Sequence, residues 1–360
     1  MSISPELEAE LRAPREPEPK SAFPETTVEQ TEDGAFRRQR NWFSGRFGAE
    51  EHPVEPGRYA VLGSIGCGWA RRQHIILRLT GLETSVPFIV LTGRSGDGWK
   101  ISGVDNDIKE RFGTDHLNDF YRRTDPDYKG RGTSPTVVDL QTGKVVSNNY
   151  HLLPQDWETV WRPFHKEGAP DLYPEALRKE IDLTNQQIFD DINNGTYKVL
   201  FATNPEAAKA AYTIFAARLA DFDFRLKSRR YLFGDKITDS DVRLFQTLAS
   251  YERGYRVGIV KLYGEKNVLQ ISDFENLWAY ARDLFQNGFT DDLEQFFLGF
   301  LPGPSGEYLR GGFNGEGKGL PTGAEALAAW SEPHGRESLT GSPFYSGPGG
   351  GGSFERWTFA

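Results

Sequence analysis

Arg58-Tyr59-Ala60-Val61-Leu62-Gly63-Ser64-Ile65 followed by Gly66-Cys67-Gly68-Trp69-Ala70-Arg71-Arg72 is the stretch on which the fold turns. The apolar run reads as a strand, and the glycines that follow it hold the only cysteine in the chain. A helix over 69–82 is predicted next, apolar at Ala70, Ile75, Ile76, Leu77 and Leu79 and stopped by Gly81. A second strand is expected over 86–91, with Pro87 near its start. Residues 92–132 read as an insertion, polar and Gly-rich, with a short helix over 116–123. Strands resume over 135–140, turn at Gln141-Thr142-Gly143 and return over 144–147. Strand–helix–strand followed by a hairpin and a helix is the order of a thioredoxin-like half.

Downstream of about Leu172 the pattern is helical throughout, with helices expected over 173–194, 205–227, 238–252, 274–286 and 289–299. Thr238-Asp239-Ser240-Asp241 marks one helix start as a capping box, with Asp241 in place of the usual Glu or Gln, and Ile237 and Val242 at the staple positions. This is a folding signal with no catalytic role. The expected organisation is a thioredoxin-like domain over 36–168, carrying the insertion 92–132, and an all-helical domain over 169–302. Residues 1–35 hold eight Glu and five Pro and read as a largely disordered arm. Phe36 to Phe43 offers aromatics that could anchor it. Residues 303–360 contain 15 of the 39 glycines and read as an extended tail that drapes over the body or is partly disordered.

The 360 residues carry a net charge of −9, from 42 basic and 51 acidic side chains, which argues against a duplex-DNA binder. No run of 18 apolar residues suggests a membrane span, and the N-terminus lacks a secretory pattern, so the expected location is the cytoplasm. One cysteine excludes an internal disulfide framework and a Cys-rich metal site. The six histidines (52, 74, 116, 151, 165 and 334) show no ligand spacing, so no metal is expected.

Cys67 is the first candidate for chemistry. A thiol at a helix N-terminus faces unpaired amides and the positive end of the helix dipole, an environment that favours thiolate. Arg71 and Arg72 follow within one turn. The alternative is a buried, inert cysteine. A Cys/His hydrolase is disfavoured because His74, seven residues on, lies about 10 Å along the helix. A dinucleotide site is disfavoured because Gly63, Gly66 and Gly68 are spaced GxxGxG, and Glu83 precedes the second strand where a ribose-binding acid should follow it. Pro135 opens a strand, where proline is tolerated without functional meaning. In thioredoxin-like folds a cis-proline here sits beside the active cysteine and leaves the preceding backbone open to a peptide-like thiol. The sequence leaves its isomer open.

The chain resembles the glutathionyl-hydroquinone reductases, the Xi class of glutathione transferases, over roughly residues 36–336. The resemblance is carried by Cys67-Gly68-Trp69-Ala70, Gly98-Trp99, Asp125-Pro126-Asp127-Tyr128-x-Gly130-Arg131 and Val146-Ser147-Asn148. It continues through Asn193-Asn194-Gly195-x-Tyr197-Lys198, Thr238-Asp239-Ser240-Asp241-Val242-Arg243-Leu244, Pro321-Thr322-Gly323 and Glu332-Pro333-His334-Gly335-Arg336. It implies an α/β thioredoxin-like N-terminal domain followed by an all-α glutathione-transferase C-terminal domain, and a homodimer. It also implies the chemistry: a thiolate attacks the sulfur of a thiol–hydroquinone conjugate, quinol leaves, and a second small thiol resolves the mixed disulfide.

On this resemblance Cys67 is the nucleophile, Trp99 contacts the thiol cosubstrate, and Ser134 pairs through its backbone with the cysteinyl moiety. Tyr197 faces the aromatic substrate, and Tyr308 is a second tyrosine by a looser alignment. Two departures matter. The family's Cys-Pro-Trp-Ala-His-Arg reads Cys67-Gly68-Trp69-Ala70-Arg71-Arg72. The family's Ser-Asn-Glu-Ser, whose last two residues hold the γ-glutamyl end of glutathione, reads Ser147-Asn148-Asn149-Tyr150. With Asn149 and Tyr150 in those places, the expected cosubstrate is a low-molecular-weight thiol, glutathione or a sugar-based thiol such as mycothiol, with the latter favoured. Arg131 is the neighbour that would rebuild a glutathione site. Competing functions are an omega-like thiol transferase or deglutathionylase, and a non-catalytic binding module of the same fold.

Overall fold

The computed structural model describes residues 4–12, 31–38, 40–95, 98–286 and 323–340. Among them two compact units separate: one holds those within 1–28 and 39–169, the other those within 29–38 and 170–360.

In the first unit, α1 (Pro5–Arg12) precedes β1 (Tyr59–Gly63), α2 (Gly68–Thr80), β2 (Phe88–Ser95), β3 (Gly98–Ile101), α3 (Ile108–Phe112), α4 (Leu117–Thr124), β4 (Thr136–Asp139), β5 (Lys144–Ser147) and α5 (Leu153–Glu158). The five strands lie in the order β3-β2-β1-β4-β5. β1 runs parallel to β2 and antiparallel to β4, and β4 and β5 form the antiparallel hairpin. This is a thioredoxin-like sheet with one strand added at the β2 edge. β1 is buried along its whole length, which is why its sequence is a continuous apolar run instead of an alternation. Gly63 ends it because a Cβ there would run into the Phe88 ring and the Ala70 methyl. α2 stops at Gly81, which adopts the left-handed conformation (φ 78°) that a side chain would resist.

Residues 92–132 are more than an insertion. They hold the end of β2, the edge strand β3, and α4, whose Phe120 and Tyr121 sit in the sheet's own core. A four-residue strand is too short to show a period of two, which hid β3 from the sequence. The arm over 1–35 also differs from expectation where it is described. Ser4 Oγ accepts the Leu7 N–H at 3.2 Å and starts α1, and Glu10 accepts from the Ser102 hydroxyl at 2.7 Å. The rest of that arm lies outside the described residues. Residues 40–48 follow the β5 edge: Gly45 N–H donates to Val146 O at 3.0 Å, and Phe43 packs on Tyr121 with ring centroids 5.4 Å apart.

The second unit is helical: α6 (Arg178–Gln187), α7 (Gly195–Phe201), α8 (Pro205–Leu226), α9 (Asp239–Ser250), α10 (Arg256–Tyr263), α11 (Glu275–Gln286) and α12 (Gly323–Trp330). The helix expected over 173–194 is α6 continued by a π-turn, Ile188–Asn193, and a second π-turn, Tyr251–Tyr255, joins α9 to α10. The helix expected over 289–299 lies outside the described residues.

The capping box at Thr238 forms, with the return bond from Thr238 N–H to Asp241 Oδ2 at 2.7 Å. Asp241 also accepts from Leu232 N–H at 2.9 Å and Tyr280 Oη at 2.7 Å, so a shorter carboxylate serves as a hub for a fully buried corner.

The described part of the tail, residues 323–340, packs on the second unit. Trp330 ends α12 and packs on Trp278, with centroids 4.9 Å apart. The buried Arg336 donates to Leu226 O at 2.9 Å and Arg230 O at 3.0 Å, placing a cation at the C-terminal end of α8. Among the described residues no helix is long and apolar enough to cross a membrane.

Candidate active site

Cys67 is the N-cap of α2. Its carbonyl accepts from Ala70 N–H at 3.1 Å and Arg71 N–H at 2.9 Å, and its own N–H donates to Ser64 O at 2.9 Å. The side chain is half-buried, and Sγ donates to Ser134 O at 3.3 Å. The Ser134–Pro135 peptide is cis. Ser134 Oγ accepts the Ser64 N–H at 2.9 Å, so the end of β1 and the start of β4 are tied together beside the sulfur. Arg71 is buried and donates through Nη2 to Ile65 O, bracing the turn that leads into Cys67. His74 stacks on Phe88 at 4.5 Å in a packing role.

A chain of polar groups holds the Ser134 segment from behind. Tyr121 Oη meets Thr136 Oγ1 at 2.7 Å and Thr133 Oγ1 at 3.2 Å, and Asn148 Nδ2 donates to Thr133 Oγ1 at 2.9 Å. Burial pushes the Tyr121 phenol up, which keeps it protonated. Asn148 Oδ1 accepts from Trp42 N–H at 3.1 Å and Phe43 N–H at 2.9 Å. Sequence reasoning does not single out Tyr121, Thr133 or Asn148 as site residues. Asn148 lies within a motif of the resemblance, but its link to Thr133 joins separate strands and leaves no local signal.

Asn149 and Tyr150 are taken up by the protein itself. Asn149 Oδ1 accepts from Asn41 Nδ2 at 3.2 Å and His151 N–H at 3.1 Å, and its Nδ2 donates to Ser44 Oγ at 3.1 Å. Tyr150 is buried, its ring 4.7 Å from Trp69 and 4.4 Å from His151. Tyr150 is thus linked to the cysteine turn through Trp69, two residues after Cys67. Trp99 lies on β3 against the sheet core, and Arg131 O accepts the Tyr128 hydroxyl at 2.8 Å. Asn118 of α4 orders this side by accepting Gly132 N–H at 2.7 Å. Tyr197 belongs to the second unit, on α7, and Tyr308 lies outside the described residues. Among the described residues no group of three or more His, Cys, Asp or Glu is placed to hold a metal ion.

No protein-family model matches the chain. Individual relatives do. The glutathionyl-hydroquinone reductase YqjG of Escherichia coli is 30% identical over 322 residues, covering 84% of this chain and 93% of the relative. The chain belongs to the glutathionyl-hydroquinone reductase family. The glutathionyl-hydroquinone reductase PcpF of Sphingobium chlorophenolicum is 32% identical over 248 residues, 68% of this chain and 76% of its own. The glutathione-S-transferase Xi of Phanerochaete chrysosporium superposes with a TM-score of 0.67 at 30% identity, covering 77% of this chain and 90% of that one. The solved, glutathione-bound YqjG superposes with a TM-score of 0.64 at 27% identity, over 85% and 98% of the two chains.

This family member is therefore an enzyme of the thiol-dependent reductase and transferase class, with a thioredoxin-like unit and a helical unit. What its first unit offers chemically is a half-buried thiol at a helix start, beside a backbone carbonyl fixed by the Ser64–Ser134 bond. A nucleophilic sulfur in that position can exchange with another sulfur without a second cysteine, provided a resolving thiol arrives from solution.

Proposed function

We propose that this enzyme reduces thiol–hydroquinone conjugates through Cys67. The observation that carries the reading is the sulfur at the first turn of α2, 3.3 Å from the carbonyl before the cis-proline. The Cys67 thiolate attacks the sulfur of the conjugate. An S–S bond forms, the aryl C–S bond breaks, and its electron pair ends on the ring carbon, which takes up a proton to give the free hydroquinone. A second thiolate then attacks the mixed disulfide. It releases Cys67 as thiolate and leaves with the first thiol as a small disulfide, so one thiol is consumed for each conjugate reduced.

In this proposal Ser134 pairs through its backbone with the cysteinyl part of the thiol, Trp99 and Arg131 contact its remainder, and Tyr197 serves the quinol oxygen, with Tyr308 as a second donor. Family membership supports action as a homodimer.

The preferred thiol is proposed to be other than glutathione, of the mycothiol kind. A γ-glutamyl ammonium calls for a carboxylate, and residue 149 is an amide already bonded to Asn41, Ser44 and His151. Losing one partner of a charge-assisted hydrogen bond costs on the order of 1.5–3 kcal/mol, or roughly tenfold to a hundredfold in affinity. Glutathione is the second reading, favoured by the relative solved with glutathione bound. Competition decides between them: turnover of matched conjugates with glutathione or mycothiol at equal concentration, in wild type and in Asn149→Glu/Tyr150→Ser. Wild type should prefer mycothiol and the double variant should gain with glutathione. A wild-type preference for glutathione rejects the thiol assignment.

A further inference from the structure

Among the described residues Trp42 is the large apolar side chain most open to solvent, at 62% exposure. Leaving an indole in water forgoes the free energy that burial would supply, so core packing does not account for it. The side chain is nevertheless held still. Its backbone N–H donates to Asn148 Oδ1 at 3.1 Å, and its Nε1–H donates to Asp125 Oδ2 at 3.3 Å. Its ring meets the buried Tyr128 ring edge to face, with centroids 5.7 Å apart. A rigid, exposed aromatic surface loses little entropy when a ligand lies on it.

The position of this indole within the first unit is informative. Through Tyr128, whose hydroxyl donates to Arg131 O at 2.8 Å, Trp42 is tied to the Arg131 backbone. Through the preceding residue, Asn41, whose Nδ2 donates to Asn149 Oδ1 at 3.2 Å, it is tied to position 149. Through Asn148, which donates to Thr133 Oγ1 at 2.9 Å, it is tied to the residue before Ser134. These are the positions assigned to the thiol. The polar groups beside the ring are neutral. Asn149 Nδ2 donates to Ser44 Oγ at 3.1 Å, which leaves Ser44 exposed with a hydroxyl proton to give. Asn41 is half-buried, commits one amide proton to Asn149, and keeps a second proton and its Oδ1 acceptor.

We propose that Trp42 determines specificity for the thiol: its indole is the platform on which the sugar of the cosubstrate lies, and Asn41 and Ser44 meet the sugar's hydroxyls. A sugar ring presents a face of C–H bonds and a rim of hydroxyls. The C–H face suits the electron-rich face of an aromatic ring, and hydroxyls that both donate and accept suit an amide and a serine. A γ-glutamyl end is matched less well, because its carboxylate finds no cation among Asn41, Trp42, Ser44 and Asn149. Tyr150 cannot be the platform, since it is buried against Trp69. The inference deepens, and rests on, the assignment of a sugar-based thiol as the preferred cosubstrate.

The test is binding without chemistry. S-methyl mycothiol, S-methyl glutathione and N-acetyl-S-methylcysteine share the cysteinyl part and cannot exchange with Cys67, and the first alone carries a sugar. Calorimetric titration of each into the full chain and its Trp42→Ala variant reads the affinities, with a thermal melt of both proteins alongside. Trp42→Ala should weaken S-methyl mycothiol by about three- to tenfold, the worth of one aromatic contact, and leave the other two ligands within about twofold. Equal losses with all three ligands would make Trp42 a structural residue and overturn the inference. Unchanged binding of S-methyl mycothiol by Trp42→Ala, in a protein whose wild type prefers it, overturns the inference alone. A wild type that binds S-methyl glutathione as tightly as S-methyl mycothiol, or more tightly, overturns the thiol assignment and the inference with it.

Discussion

Glu252 gives the helical unit a pH dependence that can be worked through. Its side chain is three-quarters buried on the π-turn Tyr251–Tyr255, accepts Ile271 N–H at 2.5 Å, and has Arg256 Nε 3.6 Å away. Burial, with repulsion from Asp273 and Glu265, outweighs these and pushes the carboxyl from its ordinary 4.5 up to about 7. The folded state then holds a proton that the unfolded chain has released between those values. Stability from this group is fully present below pH 4.5 and is lost as pH rises through 7. The distance from 4.5 to about 7, at about 1.36 kcal/mol per pH unit, is about 3 kcal/mol. Glu252→Gln keeps an acceptor for Ile271 and removes the titration. Urea denaturation of both proteins from pH 4.5 to 8 is the assay. The variant's stability relative to wild type should climb by about 3 kcal/mol across that range, most steeply between pH 5 and 7. A difference that stays flat within about 0.5 kcal/mol would mean that the Glu252 carboxyl gains no proton on folding.

Asp241→Ala leaves two backbone amides and two hydroxyls (Leu232, Thr238 and Tyr280) without their shared acceptor in a fully buried corner. It should cost about 3–5 kcal/mol, read as a lower urea midpoint at unchanged slope. Gly63→Ala sets a methyl against Phe88 and Ala70 where β1 meets α2. It should destabilise the first unit by about 1–3 kcal/mol and slow alkylation or turnover at Cys67, seen in a melt and a labelling rate measured side by side.

The strand-to-helix run through Cys67 was legible because burial on both faces demands an unbroken apolar strand, and because Gly81 can only be a stop. β4 and β5 were legible from the turn between them. β3 was not, since four residues carry no period, and α1 was hidden by the acidic composition around it. At the site, sequence singled out Cys67 and Ser134 but left the Pro135 isomer open, because cis and trans differ by about 1 kcal/mol before tertiary contacts act. It showed that residue 149 is an amide. It could not show that Asn41 and Ser44, more than a hundred positions earlier, occupy that amide.

In the proposed mechanism Cys67 takes the thiol from the conjugate and carries it as a mixed disulfide. The most direct measurement is a single turnover with no second thiol present, following hydroquinone release and the intact protein mass together. One equivalent of hydroquinone should be released and one thiol added to the protein at Cys67. Both should be absent in Cys67→Ser, and later addition of a small thiol should remove the adduct. Hydroquinone release that survives in Cys67→Ser, or release with no thiol left on the protein, would contradict it.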